Sequence, residues 1–383
     1  MKRLAIGMLF LASLAWAWPI VAEEAPAGGD SSEFYFSHGL EQLNAGQPDE
    51  AISNFTKAIE KDPGNFRGYL ARGMAYNSRG QTDPALADFS KAVELNPKFP
   101  AAYTYRGSVY AAKGDYDHAF ADLDRAIGLD QGAATAYGIR GGLFLAKGQC
   151  DHAVVDYSKA IEINPRAAEY YKFRGTAYQK LRKFEPAIAD FSAALEINPQ
   201  DKSLYFYRGF ACMAMRQFDP AVSDFTGLLE SNPNDDRILA ARGMAYLQSG
   251  QYDNAAADFS KAMELKPGNP YAFGFRGMAR HAVRNFEGAV SDYSSALNIT
   301  SERPVLYSLR GLAYQGMGNY EKAVEDFSKY LEIKPRDARA YRDRATAYAK
   351  KGEFGKARED IRQAEQLGLK PDPEFIKELG KNQ

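Results

Sequence analysis

The sequence predicts an all-α fold in which ten tandem helix hairpins stack into one solenoid. Proline, glycine and alanine each recur with a period of 34 residues, and no insertion or deletion interrupts it between Ser32 and Pro371. A repeat of this length is one supersecondary unit, because each copy buries its apolar face only against its neighbours. The recurring prolines and glycines are Pro63, Pro97, Pro165, Pro199, Pro233, Pro267 and Pro335, and Gly39, Gly73, Gly107, Gly141, Gly175, Gly209, Gly243, Gly277 and Gly311.

The N-terminus has the pattern of a signal peptide over residues 1–22. Lys2 and Arg3 precede an apolar run, and small residues follow near Ala22. Cleavage after Ala22 is expected, Ala17 is the competing site, and an uncleaved anchor is the alternative. Residues 23–31 (EEAPAGGDS) then form a flexible leader. We therefore expect an exported chain, in a bacterial periplasm or secreted, with no membrane span in its mature part.

Each repeat divides into two helices. With Ser32 as position 1, helical periodicity covers positions 2–14 and 18–31. Position 15 is Gly in seven repeats, as a helix C-terminus requires, and Arg182, Arg216 and Arg284 replace it in the others. Proline at position 32 ends the second helix. The predicted repeats are residues 32–65, 66–99, 100–133, 134–167, 168–201, 202–235, 236–269, 270–303, 304–337 and 338–371.

Small residues face large ones across each hairpin. If the turn is centred between positions 15 and 16, position i lies opposite position 31 − i. Gly at position 8 then meets positions 23 and 24, and position 24 is Phe, Tyr or Leu. In the same way Tyr at position 4 meets Ala at position 27. Small residues let the two helices approach closely and interlock, so the aromatic residues are assigned to the core.

Arginine at position 7 and aspartate at position 23 occur together in nine repeats, and the same geometry places them level with each other. We therefore predict a structural ladder of partly buried ion pairs, in which the arginines are not available to bind an anion. Repeat one has His38 and Asn54 instead, so both members change together. The predicted pairs are Arg72–Asp88, Arg106–Asp122, Arg140–Asp156, Arg174–Asp190, Arg208–Asp224, Arg242–Asp258, Arg276–Asp292, Arg310–Asp326 and Arg344–Asp360.

These residues resemble the tetratricopeptide repeat (TPR) superfamily over positions 32–371, in the variety common in bacteria. The motif of small residues at positions 8, 20 and 27, aromatic residues at 4, 11 and 24, and Pro at 32 fits ten times in phase. The resemblance implies a right-handed superhelix whose first helices line a concave groove that binds other proteins. Departures from the motif are Cys150, Cys212, Leu228 and Tyr330.

Residues 372–383 are expected to form a capping helix. Asp372 is suited to the N-cap, Pro373 to the first turn, and Gly380 to the end. Phe375, Ile376 and Leu379 would cover the open face of the last repeat, as solenoids need.

The composition argues against several other functions. The net charge of −1 does not suit a nucleic-acid-binding protein. Cys150 and Cys212 are expected to be free, buried thiols, and His118 and His152 near Cys150 show no metal-ligand spacing. No motif suggests catalysis or a cofactor, and only 12 residues follow the repeats. We therefore expect no enzyme, no metal and no cofactor.

A mostly apolar stripe is predicted on the first helices of repeats six to nine, at positions 2, 5, 9 and 12, with a basic lip in repeat ten. Exposed apolar patches of this size usually mark binding sites, and Met suits adaptable recognition. We interpret it as a groove for an apolar peptide or helix of a partner protein. The alternative is a structural, self-assembling module of an envelope complex, which would bury the stripe by stacking or self-association. The groove residues are Phe206, Phe210, Met213, Met244, Leu247, Tyr271, Met278, Leu312, Arg339 and Arg342.

Overall fold

A computed structural model describes residues 30–300, 303–370 and 372–381, and the predicted all-α fold of tandem hairpins is confirmed there. The predicted signal peptide, most of the predicted leader and the candidate cleavage sites Ala17 and Ala22 lie outside the described residues. Odd-numbered helices are the first and even-numbered helices the second of each hairpin, and α21 follows them. The helices are α1 (Ser32–Asn44), α2 (Pro48–Lys61), α3 (Phe66–Ser78), α4 (Thr82–Leu95), α5 (Pro100–Lys113), α6 (Tyr116–Leu129), α7 (Ala134–Ala146), α8 (Cys150–Ile163), α9 (Ala168–Lys180), α10 (Phe184–Ile197), α11 (Lys202–Ala214), α12 (Phe218–Ser231), α13 (Asp236–Gln248), α14 (Tyr252–Leu265), α15 (Pro270–Ala282), α16 (Phe286–Ile299), α17 (Pro304–Gly316), α18 (Tyr320–Ile333), α19 (Ala338–Lys350), α20 (Phe354–Gln366) and α21 (Pro373–Lys381).

Every hairpin helix begins one residue earlier than the periodicity predicts, at repeat positions 1 and 17. The residue before each helix supplies the reason, since several of these residues are N-caps. Asn65 accepts a hydrogen bond from the backbone N–H of Arg67 at 3.0 Å, and Asn319 accepts one from Lys322 at 3.2 Å. The N-cap therefore lies at position 34 or 16, not inside the next helix.

The structure divides into two compact units, of which the first ends at Leu204 and the second begins at Tyr205, within α11. In each unit the two helices of a hairpin pack on each other and on the next hairpin. The core of both units consists mainly of alanine and of the aromatic or leucine residues at position 24.

Glycine at position 8 contacts the aromatic ring at position 24 of its own hairpin, as predicted from the turn geometry. A Cβ atom added to Gly39 would lie 2.6 Å from Phe55, and one added to Gly175 would lie 2.8 Å from Phe191. Only glycine leaves room for these rings, and the predicted interlocking of small and large residues is confirmed.

Arg182, Arg216 and Arg284 adopt the left-handed backbone conformation that glycine has at position 15 of the other repeats. Their φ values are 58°, 59° and 63°. The turn geometry is therefore kept even where the residue is not glycine, at a conformational cost.

The two ends of the described chain are fastened to their neighbouring hairpins. Ser31 caps α1, and Asp30 pairs with Lys61 at 2.7 Å, so these last two residues of the predicted flexible leader are anchored. At the other end, Leu379 of α21 is 2% exposed and packs with Ile361. Ile376 is exposed, so its predicted part in covering the last repeat is wrong: it lies on the outer side of the capping helix.

Candidate functional site: the inner face of the first helices

The structure brings the arginines and aspartates of positions 7 and 23 together in nine hairpins. In each pair the guanidinium donates to both carboxylate oxygens; Arg174, for example, donates through Nε at 2.9 Å and Nη2 at 2.7 Å to Asp190. The aspartates are buried and the arginines partly buried, so these are the desolvated pairs that the spacing indicated. The other eight are Arg72–Asp88, Arg106–Asp122, Arg140–Asp156, Arg208–Asp224, Arg242–Asp258, Arg276–Asp292, Arg310–Asp326 and Arg344–Asp360.

Eight of these arginines are seen also to reach the preceding repeat, which the sequence did not reveal. Arg174 Nη1 donates to the hydroxyl of Ser158 at 3.0 Å, and Arg140 Nη1 donates to Asp124 at 2.7 Å. The hydrogen bond to Asp190 raises the pKa of Arg174 above its ordinary value, although burial opposes this. The arginines are thus structural cations that join a hairpin to the one before it.

In repeat one, His38 and Asn54 make separate contacts. His38 Nδ1 lies 3.1 Å from the carbonyl oxygen of Phe34, and the Asn54 amide donates to Gln42 at 2.7 Å. The paired change at the start of the chain therefore replaces an ion pair with two local hydrogen bonds.

The predicted apolar stripe lies on the first helices of the second unit, but part of it belongs to the core. Met244 and Leu247 pack against the cluster around Phe259, and Leu312 packs against the cluster around Phe327. These three side chains are therefore partly buried by packing. The prediction from a single hairpin could not include this packing, because in the second unit α13 contacts α15, α15 contacts α17 and α17 contacts α19.

Two phenylalanines begin the stripe. The rings of Phe206 and Phe210 lie 4.8 Å apart, and Phe210 meets the buried Phe225 edge-on at 5.4 Å. Phe206 and Met213 are partly exposed. Phe210 thus supports the core and Phe206 extends from it.

Among the apolar and aromatic residues predicted for the groove, Tyr271 and Met278 of α15 are the most accessible, with exposed fractions of 51% and 37%. The guanidinium of Arg303 lies 3.6 Å from the centre of the Tyr271 ring. Sequence analysis missed Arg303, although its place directly before Pro304 at the start of α17 indicates a residue on the rim. On the same face, burial lowers the pKa of His281, so its imidazole favours the neutral form.

The two arginines of the predicted basic lip in repeat ten, Arg339 and Arg342, lie in different environments. Arg342 donates to its neighbour Asp343 at 2.8 Å. Arg339 instead lines a cleft beside the loop that precedes α19, and its side chain is exposed. Arg339 therefore faces the loop edge, whereas Arg342 is paired within its own helix.

The other candidate residues have structural roles. Cys150 and Cys212 are buried, and burial raises the pKa of the Cys212 thiol. His118 pairs with Asp115 and stacks on Tyr110, while His152 stacks on Phe144. Across the described ranges no three His, Cys, Asp or Glu side chains cluster as metal ligands, and no helix there is long and apolar enough to cross a membrane.

Tandem hairpins with an open inner face define a scaffold for protein–protein interaction. Sequence profiles described as TPR repeat or tetratricopeptide repeat match more than half of the chain, so the chain belongs to the tetratricopeptide repeat family. The matched residues are 73–114, 141–182, 168–201, 304–337, 211–270, 32–65 and 100–132. No curated protein matches the chain in sequence.

Solved structures of similar fold include YrrB, reported as a TPR protein with an unusual peptide-binding site. YrrB is 24% identical, with 48% of this chain and 95% of YrrB covered and a TM-score of 0.45. A MamA protein is 28% identical over 46% of this chain and 96% of its own, with a TM-score of 0.39. The Cut9-Hcn1 hetero-tetramer of APC/C is 12% identical over 92% and 97%, with a TM-score of 0.45. At these TM-scores none of the three bears on what this chain binds.

Proposed function

We propose that this chain is an exported scaffold that holds an apolar peptide or helix of a partner protein against the first helices of its second unit. The observation that carries the proposal is the exposure of Tyr271 and Met278 beside the partly buried Met244 and Leu312. Partial burial fixes the backbone and one side of each residue, so the contact surface is preorganised. A partner segment would cover the remaining apolar area.

The chemistry of the stripe favours an apolar occupant. Methionine is flexible and polarisable, so Met213, Met244 and Met278 suit partners of varied shape. Tyr271 presents an aromatic ring at the rim, where aromatic residues often supply much of the binding energy. We expect an amphipathic helix or an extended segment to bind there.

Export is part of the proposal and depends on the signal pattern of residues 1–22 alone. We propose that the mature chain acts in a bacterial periplasm or outside the cell, and that it is not an enzyme. Fractionation of a strain that produces the full chain, followed by mass spectrometry of its N-terminus, tests this. A mature start at Glu23 in the exported fraction is expected, whereas a full-length chain in the cytoplasm would contradict export.

Site-specific photo-crosslinking tests the binding face. A benzoylphenylalanine at Met278 should capture a distinct partner protein in native envelopes, because this side chain is exposed on the inner face. The matched control is Lys261, exposed on the second helix α14 of the preceding hairpin. Equal capture at both positions would contradict the groove assignment.

The same experiment distinguishes the self-assembly alternative. A crosslinked product of twice the chain mass of 42.4 kDa, found with purified protein, would show that a second copy covers the stripe. Light scattering over a range of concentrations then measures whether that association persists without crosslinking.

A further inference from the structure

Two neighbouring clefts open on the loop edge of the second unit, beside the end of the inner stripe where Arg303 stacks on Tyr271. One has a volume of 520 Å³ and lies between the loop before α17 and the end of α18. The other has a volume of 730 Å³ and lies between the loop before α19 and the loop after α20. Tyr330 and Lys334 line both clefts.

Tyr330 forms the wall between the clefts because it replaces a small residue. Position 27 is Ala in eight repeats, where it is buried, and Leu228 in another. The larger Tyr330 reaches the loop edge, where its hydroxyl donates to Asp337 Oδ2 at 2.7 Å. This hydrogen bond raises the pKa of Tyr330 to about 12 and holds the ring in place.

The described residues that line the clefts carry an excess of positive charge. They include one carboxylate, Asp337, which already accepts bonds from Tyr330 and from the backbone N–H groups of Arg339 and Ala340. Among the residues that the structure describes, no carboxylate pairs with the four cationic side chains of the lining. These are Arg303, Lys334, Arg336 and Arg339.

Exposed apolar side chains lie between these cations. Val305 in the smaller cleft and Ile333 in the larger one have exposed fractions of 54% and 49%. Such a surface suits a ligand with both negative charges and apolar groups. A bare phosphate fits less well, because it would leave these apolar side chains uncovered.

We propose that the two clefts bind an acidic, extended peptide segment of a partner protein, with carboxylates on the cations and apolar side chains between them. Charge complementarity and the apolar lining are the basis of the assignment. This site adjoins the inner stripe where Arg303 stacks on Tyr271, so a partner could contact both surfaces with different segments. Two sites on one chain would raise the overall affinity through effective concentration.

Fluorescence anisotropy of the full chain with a labelled octapeptide of alternating glutamate and leucine tests the proposal. We expect saturable binding that weakens about tenfold in the double variant Lys334→Glu/Arg336→Glu and falls as salt is added. The matched control is Arg166→Glu/Lys266→Glu, which reverses the same charges at the same repeat positions elsewhere. Equal loss in both double variants would overturn the proposal.

Further probes separate the ligand classes. An octapeptide of alternating glutamate and glycine should bind several-fold more weakly, and one of lysine and leucine should not bind. If the glycine peptide binds as tightly, or if inorganic polyphosphate or a short RNA displaces the leucine peptide completely at equal charge, the site is a general anion surface and the proposal is wrong.

Should the charge reversals disturb folding, as seen by circular dichroism, Lys334→Gln/Arg336→Gln gives the same comparison. Met278→Ala should leave this binding unchanged, which keeps the test separate from the inner stripe.

Discussion

Gly277 lies so close to the ring of Tyr293 that a Cβ atom added to the glycine would be 2.6 Å from a ring carbon. Replacement by alanine must therefore move the ring or separate α15 from α16. We predict that Gly277→Ala lowers the free energy of unfolding by about 1–3 kcal/mol, the usual cost of overpacking. Urea denaturation followed by circular dichroism measures the effect.

The control for this substitution is Gly227→Ala in the interior of α12. No atom lies within 4 Å of a Cβ added there, so the alanine should stabilise the helix by about 0.5–1 kcal/mol. A loss of stability at Gly227 as large as that at Gly277 would show that the close approach to Tyr293 is not the cause.

Breaking one ion pair should destabilise the chain strongly. Asp190→Ala leaves the partly buried guanidinium of Arg174 without its carboxylate, and we expect a loss of about 3 kcal/mol or more. The double variant Arg174→Met/Asp190→Leu should recover much of that loss, because neither charge is then left unpaired. Urea denaturation of the variants measures both effects.

An exposed pair in the preceding repeat provides the comparison. Lys159 and Glu162 are 2.6 Å apart but accessible to solvent, so Lys159→Ala should cost no more than about 0.5 kcal/mol. Similar losses for Lys159→Ala and Asp190→Ala would mean that burial of the ladder contributes little.

Replacing any of the three arginines that have a left-handed backbone conformation by glycine should stabilise the turn that contains it. Arg182 has a φ of 58°, a conformation that glycine adopts without strain. We expect Arg182→Gly to raise the free energy of unfolding by up to about 1 kcal/mol, since the relief of strain exceeds the entropy that glycine adds to the unfolded chain. Gly148→Ala at the same repeat position should have the opposite effect, and thermal unfolding compares the two. A loss of stability in Arg182→Gly would indicate that the side chain has a role of its own.

The fold should become more stable when either of two buried tyrosines loses its hydroxyl group. Within the described chain the hydroxyls of Tyr157 and Tyr293 have no hydrogen-bond partner. Removal of an unsatisfied buried hydroxyl should stabilise the fold by about 1 kcal/mol, so Tyr157→Phe should shift the urea midpoint upward. Tyr103→Phe is the control, because the Tyr103 hydroxyl donates to the carbonyl oxygen of Pro97 and its loss should be destabilising. A downward shift for Tyr157→Phe would reveal a partner for that hydroxyl, such as a buried water.

The sequence was sufficient to predict contacts within a hairpin, such as Gly175 against Phe191 and Arg174 beside Asp190. These contacts depend on helical geometry and one turn, and ten copies in phase make the positions unambiguous. It was less informative about contacts between hairpins. The partial burial of Met244 by its neighbours and the stacking of Arg303 on Tyr271 depend on how successive hairpins pack, which no single repeat determines. Tyr330 was visible as a departure from the motif, but the clefts beside it required the structure.

The first hairpin contributes a hydroxyl group but no charge to the ladder of ion pairs, and this affects how the chain unfolds. Arg72 is joined to the first hairpin by the hydroxyl of Thr56 at 3.1 Å, while its carboxylate partner Asp88 belongs to its own hairpin. Detachment of the first hairpin therefore costs one neutral contact along this ladder and strands no charge. Proteolytic cleavage and amide hydrogen exchange should then be fastest in α1 and α2 and slower in the interior hairpins. The first hairpin would unfold separately from the hairpins that follow it.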